Sequence, residues 1–231
     1  DFTNKLDGFG PLYIINLKRR TDRYERMMNL IKNNNITDYT FIEAVDSQEN
    51  IDHLIHNIED RHPAIPRAAE IATTISHIKA IEHWINTSDS EYAIFAEDDL
   101  SDETIKYWPW TWKEFISVIN FDYDVLQLCQ TQFTKIDYKV HKRMTHDYSA
   151  GLYILKREHA KGILDRMIYR VSIWLMIIGQ RFWQIIPSFL ATQRRLILVV
   201  CLLYDTDTDS EVNPSGASLH KKSRNMVVLF W

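Results

Sequence analysis

The sequence predicts an α/β fold: a single domain built on a mostly parallel sheet flanked by helices. Three observations carry that prediction. Apolar runs of strand length alternate with segments whose apolar residues recur at helical spacing. Hydrophobic residues make up 45% of the 231, enough for a sizeable core. No Pro/Gly/Ser-rich linker divides the chain, and six glycines and six prolines are too few for a disordered or low-complexity protein. We therefore read 1–231 as one domain, with 165–231 the part least defined by pattern.

Leu12–Leu17 is an apolar run broken by Asn16 and reads as a buried strand. Thr21 or Asp22 then caps a helix whose residues Tyr24, Met27, Met28 and Ile31 share one face. Asn33-Asn34-Asn35 ends it. Tyr39–Val45 is a second strand. Glu70–Ile85 is a second helix, with Ile71, Thr74, Ile75, Ile78, Ile81 and Ile85 on one face. Tyr92–Ala96, Asp124–Cys129 and Gly151–Leu155 are further strands. Arg157–Tyr169 is helical, with Ala160, Ile163, Leu164 and Met167 inward. Alternating strands and helices favour parallel pairing through right-handed crossovers. Val171–Leu203 is apolar without a clean period, and Asp205–Glu211 is an acidic loop.

A net charge of −4 argues against a general nucleic-acid binder. Basic residues cluster locally at Lys18-Arg19-Arg20 and Lys221-Lys222, which suits a phosphate ligand better than a duplex. Cys129 and Cys201 lie in apolar runs and read as buried thiols rather than a disulfide or metal framework. That favours a reducing compartment, and the expected location is the cytoplasm of a bacterium or of a viral host. A secretory lumen stays open, because the sequons Asn35-Ile-Thr37 and Asn86-Thr-Ser88 would matter there. The chain starts at Asp1 rather than Met and reads as trimmed, which leaves room for a removed leader. Val171–Ile178 and Leu196–Tyr204 are each too short to span a bilayer, so no transmembrane segment is expected. No feature of the sequence sets an oligomeric state.

Glu97-Asp98-Asp99 places three carboxylates where the strand Tyr92–Ala96 emerges. Like charges repel and carboxylates resist desolvation, so the cluster is costly for stability. Oxygen ligands suit Mg²⁺ or Mn²⁺, and open α/β sheets bind ligands beyond the carboxyl ends of their strands. The alternative is a solvated turn in which Asp98 or Asp99 caps a helix. In Asn16-Leu-Lys-Arg-Arg-Thr-Asp-Arg23, four basic residues occupy the loop and first helical turn after the first strand. Cations there destabilise a helix N-terminus unless an anion is shared, and a diphosphate is a natural one. Arg20 and Arg23 are the selected contacts, since Arg suits bidentate phosphate binding. Ser76-His77 lies mid-helix, where a lone histidine reads as an ordinary core or surface residue. Trp108, Trp110 and Trp112 either stack on sugar rings or pack beneath a loop.

Tyr13–Arg23, Glu70–His77, Phe95–Leu100 and Ala150–Ala160 resemble, in order and spacing, segments of glycosyltransferase family 25, which includes lipooligosaccharide and procollagen galactosyltransferases. Ala72-Thr73 stands where the family pattern carries a Gly-containing pair. The resemblance implies a GT-A-like fold, a UDP-sugar donor, and Mn²⁺ or Mg²⁺ as cofactor. It implies a hexose passed, with inversion, to a hydroxyl of a glycan or protein acceptor. A catalytically degenerate domain that binds glycan or a partner is the alternative. Asn16, Arg20, Arg23, Ser76, His77, Glu97 and Asp98 would serve the donor. Asp99 would ligate the metal directly, joined by Glu97 and by His220. The catalytic base would be Asp147, Asp207 or Asp209, and 165–231 would form the acceptor side.

Overall fold

The computed structural model describes residues 4–49, 68–119, 123–129, 136–137, 141–142, 149–165, 196–205 and 226–227. The strands are β1 (Leu12–Asn16), β2 (Tyr39–Glu43), β3 (Tyr92–Glu97), β4 (Leu100–Ser101), β5 (Tyr123–Cys129), β6 (Ile136–Asp137), β7 (His141–Lys142), β8 (Leu152–Lys156), β9 (Leu196–Asp205) and β10 (Met226–Val227). The helices are α1 (Thr21–Asn33), α2 (Ala68–Thr87), α3 (Trp112–Val118) and α4 (157–165).

The main sheet runs β2-β1-β3-β8-β5-β9-β4, with β7 added on β9. The expected mostly parallel sheet is corrected here to a mixed one. β1 pairs parallel with β2 and with β3, as the helical crossovers α1 and α2 require. β8 is antiparallel to both of its neighbours, β3 and β5. Among the described residues, those between β5 and β8 include the short strands β6 and β7. β5 and β9 pair in parallel.

Strand alternation splits the core into two layers. Ile14, Ile94 and Ala96 face α1 and α3, where Met27, Leu30, Ile31, Trp112 and Phe115 complete one cluster. Tyr13, Ile15, Phe95 and Leu155 face α2 and α4 and cluster with Ala80, Ile81, Trp84 and Ala160. Covered on both faces, β1 and β3 are apolar up to their last residues, Asn16 and Glu97, which is why they read as near-continuous runs. Gly10 sets the entry to β1: its φ is +152°, and a Cβ there would lie 2.8 Å from the Asp38 carbonyl.

The helix starts differ in detail from the sequence reading. The N-cap of α1 is Arg20, with no side-chain cap, one residue earlier than expected. Asp22 lies inside the first turn rather than at the cap, and its carboxylate accepts from Arg20. α3, which the pattern did not reveal, starts at a capping box formed by Thr111 and Glu114. Trp108 and Trp112 are buried in the core, and Trp110 stacks against Trp108 and Phe115, so the tryptophans take the packing role. Cys129 is buried and outside any disulfide. Among the described residues no helix is long and apolar enough to cross a membrane.

Candidate functional site

Three parallel strands end at one edge of the sheet and bring their exits together. β1 ends on Asn16, β2 leads into Ala44 and Val45, and β3 ends on Glu97 before the turn Asp98-Asp99. α1 and α2 close the sides. Arg20, Arg23, Ala44, Val45, Ala69, Ala72, Thr73, Ser76, His77, Glu97, Asp98 and Asp99 line the resulting cleft. Ala69, Ala72, Thr73 and Ser76 fall on one helical stripe of α2, and their small size keeps the cleft open.

The acidic turn is held from the α1 side. Asp98, 4% exposed, accepts from Asn16 Nδ2 at 2.7 Å and from Arg23 Nη1 at 2.7 Å, one bond on each oxygen. Arg26 Nη2 donates to the Asp98 carbonyl at 3.1 Å. Arg23 also lies 3.7 Å from Asp99 Oδ2. One buried guanidinium thus serves two buried carboxylates, which is how the turn survives desolvation. Arg20, at the helix mouth, grips Asp22 through two bonds of 3.0 and 2.8 Å. The Arg20 hydrogen bonds hold the Asp22 carboxyl far below its ordinary value.

The α2 side is built differently. Ser76 Oγ donates to the Ala72 carbonyl at 2.6 Å and accepts from Val45 N–H at 2.8 Å, pinning the β2 exit to the helix. His77 Nδ1 lies 3.0 Å from the Tyr153 hydroxyl, and Nε2 lies 3.2 Å from Glu97 Oε1. Burial pushes the Tyr153 hydroxyl above its ordinary pKa, and the Glu97 charge adds to the shift.

Seven of the residues expected at the site therefore line one cleft: Arg20, Arg23, Ser76, His77, Glu97, Asp98 and Asp99. Asn16 backs it through Asp98. Asp147, Asp207, Asp209 and His220 lie outside the described residues. Tyr153 and Arg26 join the site without having been singled out. Tyr153 sits in the last of the four resembling segments, but only the β3–β8 register places it opposite Phe95, beside His77.

Among the described residues no group of three or more His, Cys, Asp or Glu side chains is placed to hold a metal ion. Magnesium-type sites that serve nucleotides take one or two carboxylates and complete the shell with phosphate and water. Glu97 and Asp99 fit that donor set, as hard oxygen ligands on the wall of one cleft. Asp98 does not, because Asn16 and Arg23 occupy both its oxygens.

The molecule is thus an α/β domain whose charged cleft opens at the carboxyl ends of its parallel strands, where open α/β sheets take ligands. It belongs to glycosyltransferase family 25: the model of that family, described as an LPS biosynthesis protein, matches residues 9–173, well over half of the chain. All four resembling segments fall within the match. Among curated proteins none matches the chain. Similar solved structures include a glycosyltransferase involved in the glycosylation of the major capsid of PBCV-1, at 11% identity and a TM-score of 0.45, covering 82% of this chain and 80% of that one. A197 from STIV is 15% identical with a TM-score of 0.35, covering 83% and 82%. HddC from Yersinia pseudotuberculosis, complexed with GMP-PN, is 13% identical with a TM-score of 0.38, covering 85% and 92%.

Proposed function

We propose that the protein transfers a hexose, galactose or glucose, from a UDP-sugar to a hydroxyl of a glycan or protein acceptor, with inversion and with Mn²⁺ or Mg²⁺. The observation that carries this reading is the convergence of Arg20, His77, Glu97 and Asp99 on one cleft, in a chain of glycosyltransferase family 25.

As the donor's sugar–phosphate bond breaks, negative charge builds on the leaving diphosphate. A bound divalent ion would neutralise part of that charge as a Lewis acid, with Asp99 as its direct protein ligand and Glu97 beside it. Arg20 stands at the mouth of α1, where its guanidinium and the positive end of the helix dipole favour a phosphate. Arg23 acts from behind, holding Asp98 and Asp99 in place. The half-open carboxylate of Glu97 accepts hydrogen bonds from donor hydroxyls. The acceptor hydroxyl attacks the anomeric carbon from the opposite face, and a carboxylate takes its proton. Asp147, Asp207 and Asp209 are this chain's candidates for that base.

The test is thermal unfolding and donor hydrolysis with UDP-galactose and UDP-glucose, in Mn²⁺ and in chelator. The expected result is stabilisation by one UDP-sugar that depends on Mn²⁺, about 2.7 kcal/mol at a hundredfold excess over Kd. Asp99→Ala should remove the metal-dependent part. If no UDP-sugar shifts the melting, with or without metal, transfer from such donors is ruled out and a degenerate binding domain becomes the better reading.

A further inference from the structure

A hydrogen-bonded chain crosses the back of the cleft from β8 to β3 through α2. Tyr153 meets His77 Nδ1 at 3.0 Å, and His77 Nε2 meets Glu97 Oε1 at 3.2 Å. His77 is 2% exposed and Tyr153 8%, whereas the Glu97 side chain keeps 27% of its surface open. The rings are stacked in series: His77 on Tyr153 at 5.7 Å, and Tyr153 on Phe95 at 5.3 Å. The imidazole is therefore fixed by two strands and its own helix.

The proton positions follow from chemistry. An ionised carboxylate only accepts, so the nitrogen facing Glu97 must carry a hydrogen. A phenol can donate, so the nitrogen facing Tyr153 can be the bare one. The Nδ1–H tautomer would instead set a lone pair against the Glu97 carboxylate in a buried place, which is costly. A glutamate left to itself samples many rotamers, and freezing it on binding costs conformational entropy. A rigid donor from behind removes that cost in advance.

We propose that His77 is a positioning residue: braced by Tyr153, it donates from Nε2 to Glu97 and aims that carboxylate at the sugar donor. The inference deepens the reading above and rests on it for what Glu97 faces.

Two measurements test it. The first is the ¹⁵N spectrum of the histidine rings in the whole protein, with His77 assigned by its loss in His77→Gln. The expected ring carries a proton at Nε2. A ring bare at Nε2 overturns the inference whatever the donor does. The second is UDP-sugar affinity in two polar variants of similar size. His77→Gln keeps an amide donor near the Nε2 position, while His77→Asn keeps one near Nδ1 and loses Glu97. Asn is expected to weaken donor binding about 10- to 100-fold, and Gln by about threefold or less. A purely structural histidine would make the two variants alike. If the wild type binds donor and both variants bind equally well, this inference falls and the proposed function stands. If the wild type binds no UDP-sugar, the proposed function itself falls and the donor-facing role of His77 falls with it. The wild-type spectrum decides the tautomer even if a variant fails to fold.

Discussion

Glu97 and Asp98 are neighbours in sequence, yet they sit in opposite halves of the site. Asp98 turns toward α1, is almost wholly buried, and has both oxygens taken by Asn16 and Arg23. Glu97 turns toward α2, stays partly open, and is touched from behind by a histidine. Alternation at a strand end sends consecutive side chains to opposite faces, so a run of carboxylates need not act as one cluster. The α1 half has the character of a strut and the α2 half that of a working surface. An acidic triplet can therefore divide its labour residue by residue.

The largest effect should come from breaking the strut. Arg23→Met keeps the length of the side chain but takes from buried Asp98 the guanidinium on its Oδ1. Removing one partner of a buried pair costs about 3–5 kcal/mol, a large part of the stability of a domain this size. Urea unfolding measures it. Asp98→Asn should cost less, because Arg23 retains Asp99 at 3.7 Å. A loss below about 1 kcal/mol in Arg23→Met would fall in the range of exposed pairs and end the description of the α1 half as a strut. The α2 half should respond in the opposite sense. Glu97→Gln still accepts from His77, so stability should move by no more than about 0.5 kcal/mol, as at an ordinary surface site. UDP-sugar affinity should fall about tenfold or more. Equal stability losses in the two variants would erase the distinction between the halves.

Much of this was legible in the sequence, and the gaps have physical causes. β1, α1, α2 and β3 follow from apolar periodicity because each buries a regular stripe or a whole strand. The charged groups of the site could be picked out by type and by their place after strands. Their pairing could not: Arg23 and Asp98 are 75 residues apart and meet only through the β1–β3 register. The direction of β8 was equally hidden, since a strand buried on both faces has the same pattern read forwards or backwards. α3 is a different case. Its Thr111-x-x-Glu114 signature stood in the sequence, obscured by the three tryptophans around it.

The smallest effect belongs to the rim, and it separates burial from distance as the source of strength. Arg19 Nε approaches Asp46 Oδ2 to 2.5 Å, closer than the 2.7 Å between Arg23 and Asp98. Arg19, however, is 35% exposed, against 10% for Arg23. Exposed pairs are screened by water and salt, so Asp46→Asn should cost about 1 kcal/mol or less despite the shorter contact. The pH dependence fixes the sign. Burial raises the Asp46 carboxyl, but the Gln48 N–H and the Arg19 guanidinium outweigh it, and the net shift is downward from 3.8. A carboxyl depressed in the folded state stabilises fully above its unfolded pKa and loses that contribution as pH falls through the folded one. The difference in unfolding free energy between wild type and Asp46→Asn should therefore be flat near neutral pH. It should shrink as pH falls below 3.8. Raising the salt concentration should reduce it at neutral pH, while the Arg23→Met loss should barely change. If Asp46→Asn proved as costly as Arg23→Met, contact distance rather than burial would set the strength of the ion pairs around this cleft.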